Sequence, residues 1–222
     1  MAARRAAPHD RPRLTILQLD THFARIPGDV ACPDSYAAAI EILRVPATVR
    51  DVVHDAPEDI DIAPFEDALQ RARGDVITTS CGFLAPWQDH LCSLVDRPVL
   101  ASVLNGPPVA DALVMTYDAA ALGPAHLYGW GDAAIVGLSR GLHLRDVIGR
   151  NAPLSFARAE AEVVSLGHVA LRDRSAIVLE CTNLPPYAPA LRMGLERPVH
   201  HILTALEALS PGLVRPAYLT AS

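Results

Sequence analysis

Two cysteines at the ends of apolar, β-branched runs are the residues of this 222-residue chain best suited to chemistry. Cys81 follows the run DVITTS, and Cys181 follows SAIVLE one hundred positions later. In open α/β sheets, ligands bind beyond the carboxyl ends of the strands, where the next helix presents unpaired N–H groups. Those groups favour a thiolate and can hold a carboxylate. We therefore expect thiolate chemistry and anion binding at the same place.

The segments around the two cysteines form an internal repeat. Residues 75–99 and 175–199 align without a gap, match at both cysteines, and end in an acidic residue followed by Arg-Pro-Val. The repeat predicts two related halves that each contribute one thiol. Two thiols that face each other across a cleft could take a proton from one face of a carbon and return it to the other. That reaction is racemisation by two bases.

The other apolar runs place these cysteines in an α/β fold. Continuous apolar runs are typical of parallel strands covered by helices on both faces. The candidate strands are 14–19, 48–53, 75–79, 98–104, 111–116, 133–138 and 175–179. Apolar residues at helical spacing predict surface helices over 63–73 and 154–172, and a last helix that begins near His200 and His201.

The predicted architecture is two pseudo-symmetric α/β domains, each a parallel sheet flanked by helices, with the active site in the cleft between them. The first domain takes residues 1–102 and 199–222, and the second takes residues 103–198. Residues 1–12 contain arginines but no apolar core, so we expect a frayed tail of a cytoplasmic protein.

The composition of the chain argues against two classes of binding partner, nucleic acid and membrane. The formal net charge of −6 offers no basic field for nucleic acid, and no apolar run is long enough to span a membrane. Four cysteines without a CxxC pair predict neither a disulfide scaffold nor a metal site. The expected binding partner is a small carboxylate, held by the N–H groups described above. The sequence does not decide the oligomeric state, and a homo-oligomer stays among the alternatives.

The motifs TTSCGFL, LECTNLPPY and LDTHFARIPGDV resemble those of the aspartate/glutamate racemase superfamily, and the resemblance covers nearly the whole chain after the first dozen residues. It implies a cofactor-independent enzyme in which Cys81 and Cys181 are the catalytic acid/base pair. The chain contains no lysine, which excludes a Schiff base with pyridoxal phosphate.

The resemblance also implies substrate contacts. Asp20 and Thr21 stand where the superfamily often has Asp-Ser, and Thr182 and Asn183 follow the second cysteine as Thr and often His do in glutamate racemases. Arg25 is a candidate partner for a second carboxylate of the substrate. The candidate substrate-binding residues are Asp20, Thr21, Arg25, Ser80, Gly82, Phe83, Thr116, Thr182 and Asn183. Gly82-Phe83 replace the Asn-Thr pair of glutamate racemases, and this difference weakens the assignment to glutamate.

The predicted function is an amino-acid racemase or epimerase that acts on an acidic amino acid such as aspartate or glutamate. A hydantoin racemase or a maleate-type cis–trans isomerase on the same fold stays open, as does a binding protein without turnover. A different class is suggested by GLSRG at 137–141, which matches the nucleophile elbow of serine hydrolases. In that reading Ser139 is the nucleophile, with Asp173 and His200 later in the chain.

Overall fold

Two four-stranded parallel sheets form the framework of the protein, which a computed structural model describes over residues 12–219. The strands are β1 (Arg13–Leu19), β2 (Ala39–Val45), β3 (Val76–Thr79), β4 (Val99–Leu100), β5 (Ala112–Thr116), β6 (Ala134–Gly137), β7 (Ala176–Leu179) and β8 (Val199–His201). The helices are α1 (Val49–Val52), α2 (Ala63–Arg71), α3 (Gln88–Ser93), α4 (His143–Arg150), α5 (Phe156–Leu171), α6 (Ala188–Leu195) and α7 (Ile202–Leu209).

The two sheets repeat one topology. Their strand orders are β2-β1-β3-β4 and β6-β5-β7-β8, so the second order is the first shifted by four strands. The register repeats as well, because Ile77 lies opposite Val99 and Ile177 lies opposite Val199. The predicted fold class, two pseudo-symmetric α/β halves with parallel sheets, is therefore confirmed.

Apolar burial explains the central strands. Every residue of β5 and of β7 is buried, as expected for strands that are covered by helices on both faces. Helix α5 buries Ala159, Val163, Gly167 and Leu171, which recur every four residues along one face. Burial of a valine or leucine side chain, as at Val163 and Leu171, stabilises the fold by about 1.5–3 kcal/mol.

One predicted strand is a helix. Most of the predicted strand 48–53 forms α1 (Val49–Val52), where Thr48 and Asp51 make a capping box, with the Thr48 N–H donating to Asp51 Oδ2 at 2.7 Å. The capping residues thus outweigh the β-branched composition of this segment. The outer strand of the first sheet is instead β2, whose residues are mostly exposed or half-buried because it lies at the edge.

The second sheet extends to strand β8, and the helix that follows β8 contacts the first sheet. Strand β8 pairs with β7 and belongs to the second sheet, whereas α7 packs Ile202 against Leu14 and Ile16 of the first. The predicted domain division at Val199 stays a prediction, and the sheet pairing alone would favour a division after His201. Of the predicted tail, residues 1–11 lie outside the described part of the chain. Within residues 12–219, no helix is both long and apolar enough to cross a membrane.

Candidate active site

Cys81 and Cys181 line one small cavity between the two domains. Cys81 is 9% exposed and Cys181 is 6% exposed, and both thiols are free. The cavity has a volume of about 30 Å³, which is room for only one or two water molecules. Its walls consist of Leu19, Val49, Val53, Ser80, Cys81, Gly82, Phe83, Tyr117, Ile148, Glu180, Cys181, Thr182 and Asn183.

The two cysteine loops touch each other in a reciprocal way. Thr182 Oγ1 donates to the Ser80 carbonyl at 2.7 Å, so residue 182 of the second loop meets residue 80 of the first. The equivalent contact on the other side joins Gly82 to Glu180, and a Cβ on Gly82 would overlap the Glu180 carboxyl group. A large residue at position 180 therefore requires glycine at position 82, because both occupy the same small space.

Glu180 is a residue of this site that we did not single out from the sequence. It is 1% exposed, and its Oε2 accepts a hydrogen bond from Thr116 Oγ1 at 2.6 Å. Its Oε1 has no hydrogen-bond partner among the described residues. Burial raises the pKa of Glu180 to about 7. The signal in the sequence is an acidic residue at the end of an apolar strand, aligned with Ser80 in the repeat.

Burial also raises the pKa of both thiols. It is the main reason that the pKa of Cys81 lies at about 12, and the negative charge of Glu180 is the second. The same two causes raise the pKa of Cys181 well above its ordinary value. The backbone N–H groups of Phe83 and Asn183 lower these pKa values, but burial outweighs them.

A buried ion pair lies beside the second cysteine. Arg25 Nη1 and Asp29 Oδ1 are 3.0 Å apart, and Asn183 Nδ2 donates to Asp29 Oδ2 at 2.7 Å. Arg25 also donates to Thr21 Oγ1 at 2.8 Å and lies over the Phe23 ring, 4.2 Å from its centroid. The charge of Arg25 is therefore compensated by a carboxylate of the protein itself.

No family model matches the chain, but curated proteins do. It is 28% identical to the dimethylsulfoniopropionate lyase of Durusdinium sp. clade D, over 90% of this chain and 75% of that protein. It is 30% identical to dimethylsulfoniopropionate lyase 5 of Emiliania huxleyi (strain CCMP1516), over 88% of this chain. The match spans only 44% of the length of that second relative.

Solved structures match at low identity over almost the whole chain. Allantoin racemase from Klebsiella pneumoniae superposes with a TM-score of 0.61, covering 95% of this chain and 94% of its own at 16% identity. Unliganded arylmalonate decarboxylase gives 0.56 at 16% identity, and Picrophilus torridus aspartate racemase gives 0.54 at 10%; each alignment covers 93% of this chain and 97% of the other. The chain therefore shares its fold with these two racemases and this decarboxylase.

The structure brings together most residues to which the superfamily resemblance pointed. The predicted residues that line the cavity are Ser80, Cys81, Gly82, Phe83, Cys181, Thr182 and Asn183. Thr116 reaches the site through Glu180, and Thr21 and Arg25 belong to the neighbouring ion-pair network. Their roles toward a substrate stay predictions.

Asp20 does not line the cavity. Strand β1 ends at Leu19, and the Asp20 side chain is 49% exposed and lies 3.4 Å from His22 and 3.5 Å from Arg44. These two contacts hold the carboxylate on the surface. A substrate contact of Asp20, expected from the superfamily resemblance, would require this loop to rearrange.

The three residues of the serine hydrolase alternative do not come together in this fold. Ser139 is exposed and follows the carboxyl end of β6, whereas Asp173 is exposed and precedes the amino end of β7. These two positions lie at opposite ends of the strands, because β6 and β7 both run parallel to β5. A triad of Ser139, Asp173 and His200 therefore cannot form in this fold.

Proposed function

We propose that the chain is a cofactor-independent enzyme that removes the proton next to the carboxylate of a small substrate. The observation that carries this proposal is the pair of thiols, Cys81 and Cys181, at one buried cavity between two pseudo-symmetric halves. A proton on such a carbon is only weakly acidic, so the base must work in a site that excludes water and stabilises negative charge. The burial of both thiols supports the first condition, and the N–H groups after each cysteine support the second.

The first candidate reaction is β-elimination from a propionate with a sulfonium group on its β-carbon, as in dimethylsulfoniopropionate. Sequence likeness to two dimethylsulfoniopropionate lyases over 90% and 88% of this chain supports it. A cysteine thiolate takes the α-proton, the electron pair of that C–H bond forms the C=C bond, and the C–S bond breaks. The products are dimethyl sulfide, acrylate and one proton.

Cys81 is the thiol that we expect to act as the base. The charge of Arg25 lowers the pKa of Cys81, whereas the charge of Asp29 raises the pKa of Cys181. Cys181 then stays protonated on the opposite wall. A single thiolate suffices for elimination, whereas racemisation needs both thiols in turn.

An arginine-lined space beside the cavity supports an anionic substrate. It has a volume of about 470 Å³ and shares Val49, Val53 and Tyr117 with the thiol cavity. Its walls include four arginines, Arg50, Arg140, Arg145 and Arg150, and two aspartates, Asp118 and Asp146. The excess of positive charge attracts a carboxylate toward the thiols. Because the space at the thiols is small, we propose that the substrate enters from this side as the two halves move slightly apart.

The test is cleavage of dimethylsulfoniopropionate, followed as dimethyl sulfide in the headspace and acrylate by NMR. We expect cleavage by the wild type and a loss of about 10²-fold or more in Cys81→Ser. Cys92→Ser is the matched control, because Cys92 lies in α3 outside the cavity. Absence of both products with the wild type, or full activity of Cys81→Ser, would contradict the proposal.

The second candidate is racemisation of an acidic amino acid or a hydantoin, and the pseudo-two-fold placement of the thiols favours it. Exchange of the α-hydrogen in deuterated water, measured by NMR for both enantiomers of aspartate, glutamate and allantoin, distinguishes it from the lyase. Here Cys81→Ser and Cys181→Ser must both abolish racemisation. A stable maleate adduct on one thiol, seen by mass spectrometry, indicates a cis–trans isomerase, and binding without exchange indicates a binding protein.

A further inference from the structure

The two halves of the site differ in one ionisable group. The Ser80 N–H donates to Leu17 O and the Glu180 N–H donates to Met115 O, so these residues occupy equivalent positions after β3 and β7. Ser80 Oγ accepts a hydrogen bond from the Leu19 N–H at 3.0 Å and carries no charge. Glu180 brings a carboxyl group to the same position. A symmetric two-thiol mechanism has no use for this difference.

The Glu180 carboxyl group lies between the two cysteine loops. Thr116 fixes Oε2, while Oε1 lies against Gly82, the residue that follows Cys81. Glu180 itself precedes Cys181, and its charge acts on both thiols. One oxygen is therefore held in place, and the other is buried without a partner beside the Cys81 loop.

We propose that Glu180 accepts the thiol proton of Cys81 when the thiolate forms, and releases a proton to solvent after each turnover. The S–H bond of Cys81 breaks and an O–H bond forms on Glu180; because no hydrogen bond joins the two groups directly, the proton passes through a water molecule in the cavity that both residues line. This inference rests on the proposed function. It makes Glu180 a positioning residue that acts through Cys81, not a group that touches the substrate.

The proton balance of the reaction supports this role. Racemisation takes one proton from the substrate and returns one, so two thiols are sufficient. Elimination returns none, because the α-proton stays on Cys81 while the neutral sulfide and acrylate leave. The site must then discharge one proton per turnover, and a carboxyl group is the natural group to do so near neutral pH.

The electrostatics of the site favour the transfer. The charge of ionised Glu180 is one of the causes that raise the pKa of Cys81, so protonation of Glu180 removes part of the barrier to thiolate formation. Burial places the pKa of Glu180 itself at about 7, where it can both accept and release a proton. The other ionisable groups coupled to the two thiols are Arg25, Asp29, Tyr117 and Tyr187, and the charge of Cys81 also raises the pKa of Cys181.

The sharpest variant is Glu180→Gln. Its amide oxygen can still accept from Thr116, while its NH₂ group takes the place of Oε1 and cannot accept the thiol proton. The exposed Glu58 supplies the matched control, Glu58→Gln. We expect kcat/KM of the wild type and of Glu58→Gln to rise with pH and level off above about pH 7, where Glu180 is ionised.

In Glu180→Gln that step near pH 7 should be absent. We expect kcat/KM to keep rising toward the pKa of the thiol, and kcat at pH 7 to fall about 10²-fold because the proton on Cys81 no longer has a carboxyl group to leave through. A purely structural role would lower activity at every pH and leave the shape of the profile unchanged. An unchanged step near pH 7 in Glu180→Gln would overturn the proposal.

A titration without substrate separates this inference from the proposed function. Thiolate absorbance near 240 nm is compared between wild type and Glu180→Gln, with Cys81→Ser in each background to isolate the Cys81 signal. We expect Cys81 to ionise at lower pH in Glu180→Gln, because a negative neighbour has been removed. Identical titrations would overturn the role of Glu180 even if the lyase activity is found. The expected shift without any cleavage of dimethylsulfoniopropionate would instead contradict the proposed substrate.

Discussion

At the scale of single residues, the two halves of the site place side chains of different size at equivalent positions. Ser80 leaves room for Thr182, whose hydroxyl group bonds to the Ser80 carbonyl, whereas Glu180 fills the matching space and leaves room only for Gly82. The glycine after the first thiol is therefore explained by the carboxyl group of the opposite half. Both loops depend on this fit, and so does the closed shape of the cavity.

We predict that Gly82→Ala destabilises the protein by about 1–3 kcal/mol, because the new methyl group overlaps the Glu180 carboxyl group. In the Glu180→Ser background the same substitution should cost less but not nothing, because the added Cβ would still lie 2.6 Å from the backbone carbonyl oxygen of residue 180. A double-mutant cycle of urea unfolding measures the coupling. Additive effects of the two substitutions would show that Gly82 and Glu180 do not compete for space.

At the scale of elements, the end of α4 binds the loop after β1 across the cleft. Asn151 ends α4 in the left-handed conformation, with a φ of 55°. Its Oδ1 accepts hydrogen bonds from the His22 N–H at 2.8 Å and from the Phe23 N–H at 3.1 Å. One side chain thus ends a helix of the second domain and holds a loop of the first.

Replacing Asn151 separates these two tasks. Asn151→Gly keeps the left-handed backbone without strain but loses both hydrogen bonds, so we expect a loss of about 1–2 kcal/mol in the free energy of unfolding. Asn151→Ala should lose about 1 kcal/mol more because alanine is strained in that conformation. Urea unfolding of the three proteins measures both steps. Equal stability of Asn151→Gly and wild type would mean that the contact across the cleft contributes nothing.

At the scale of the whole molecule, the ionisation of two buried groups makes the free energy of unfolding change with pH in opposite directions. Burial raises the folded pKa of Glu180 to about 7 from 4.5, so its contribution is present below pH 4.5 and is lost as pH rises toward 7. Burial, with the charges of Arg192 and His200, lowers the folded pKa of His201 to about 3 from 6.5. The contribution of His201 is therefore present above pH 6.5 and is lost as pH falls toward 3.

We predict that His201 accounts for much of the stability that the protein loses as the pH falls below 6.5. Its side chain caps α7 by accepting from the Thr204 N–H at 3.3 Å, and protonation would place a charge in a residue that is only 1% exposed. Between pH 6.5 and pH 4 the wild type should lose about 3 kcal/mol more than His201→Asn, which keeps a capping side chain without a titrating group. Urea unfolding across this range measures the difference, with the exposed His168→Asn as control. Parallel curves for wild type and His201→Asn would contradict it.

The sequence by itself determined the parts of this protein that repeat along the chain. Continuous apolar runs predict parallel strands, and the offset of one hundred residues places one thiol at the end of β3 and one at the end of β7. These features are readable because burial on both faces of a sheet leaves a simple pattern in consecutive residues. Resemblance to the racemase superfamily then pointed to the cavity, although it also pointed to Asp20.

Only the tertiary structure decided which distant groups meet and what their surroundings do to them. The contact of Glu180 with Gly82, and that of Asp29 with Asn183, join segments whose separation along the chain carries no periodic signal. The pKa of each thiol follows from burial between two domains, which outweighs the local effect of the backbone N–H groups that follow it. Desolvation and close contact depend on three-dimensional distance, and so the chemistry of this site emerges only when the two halves close on each other.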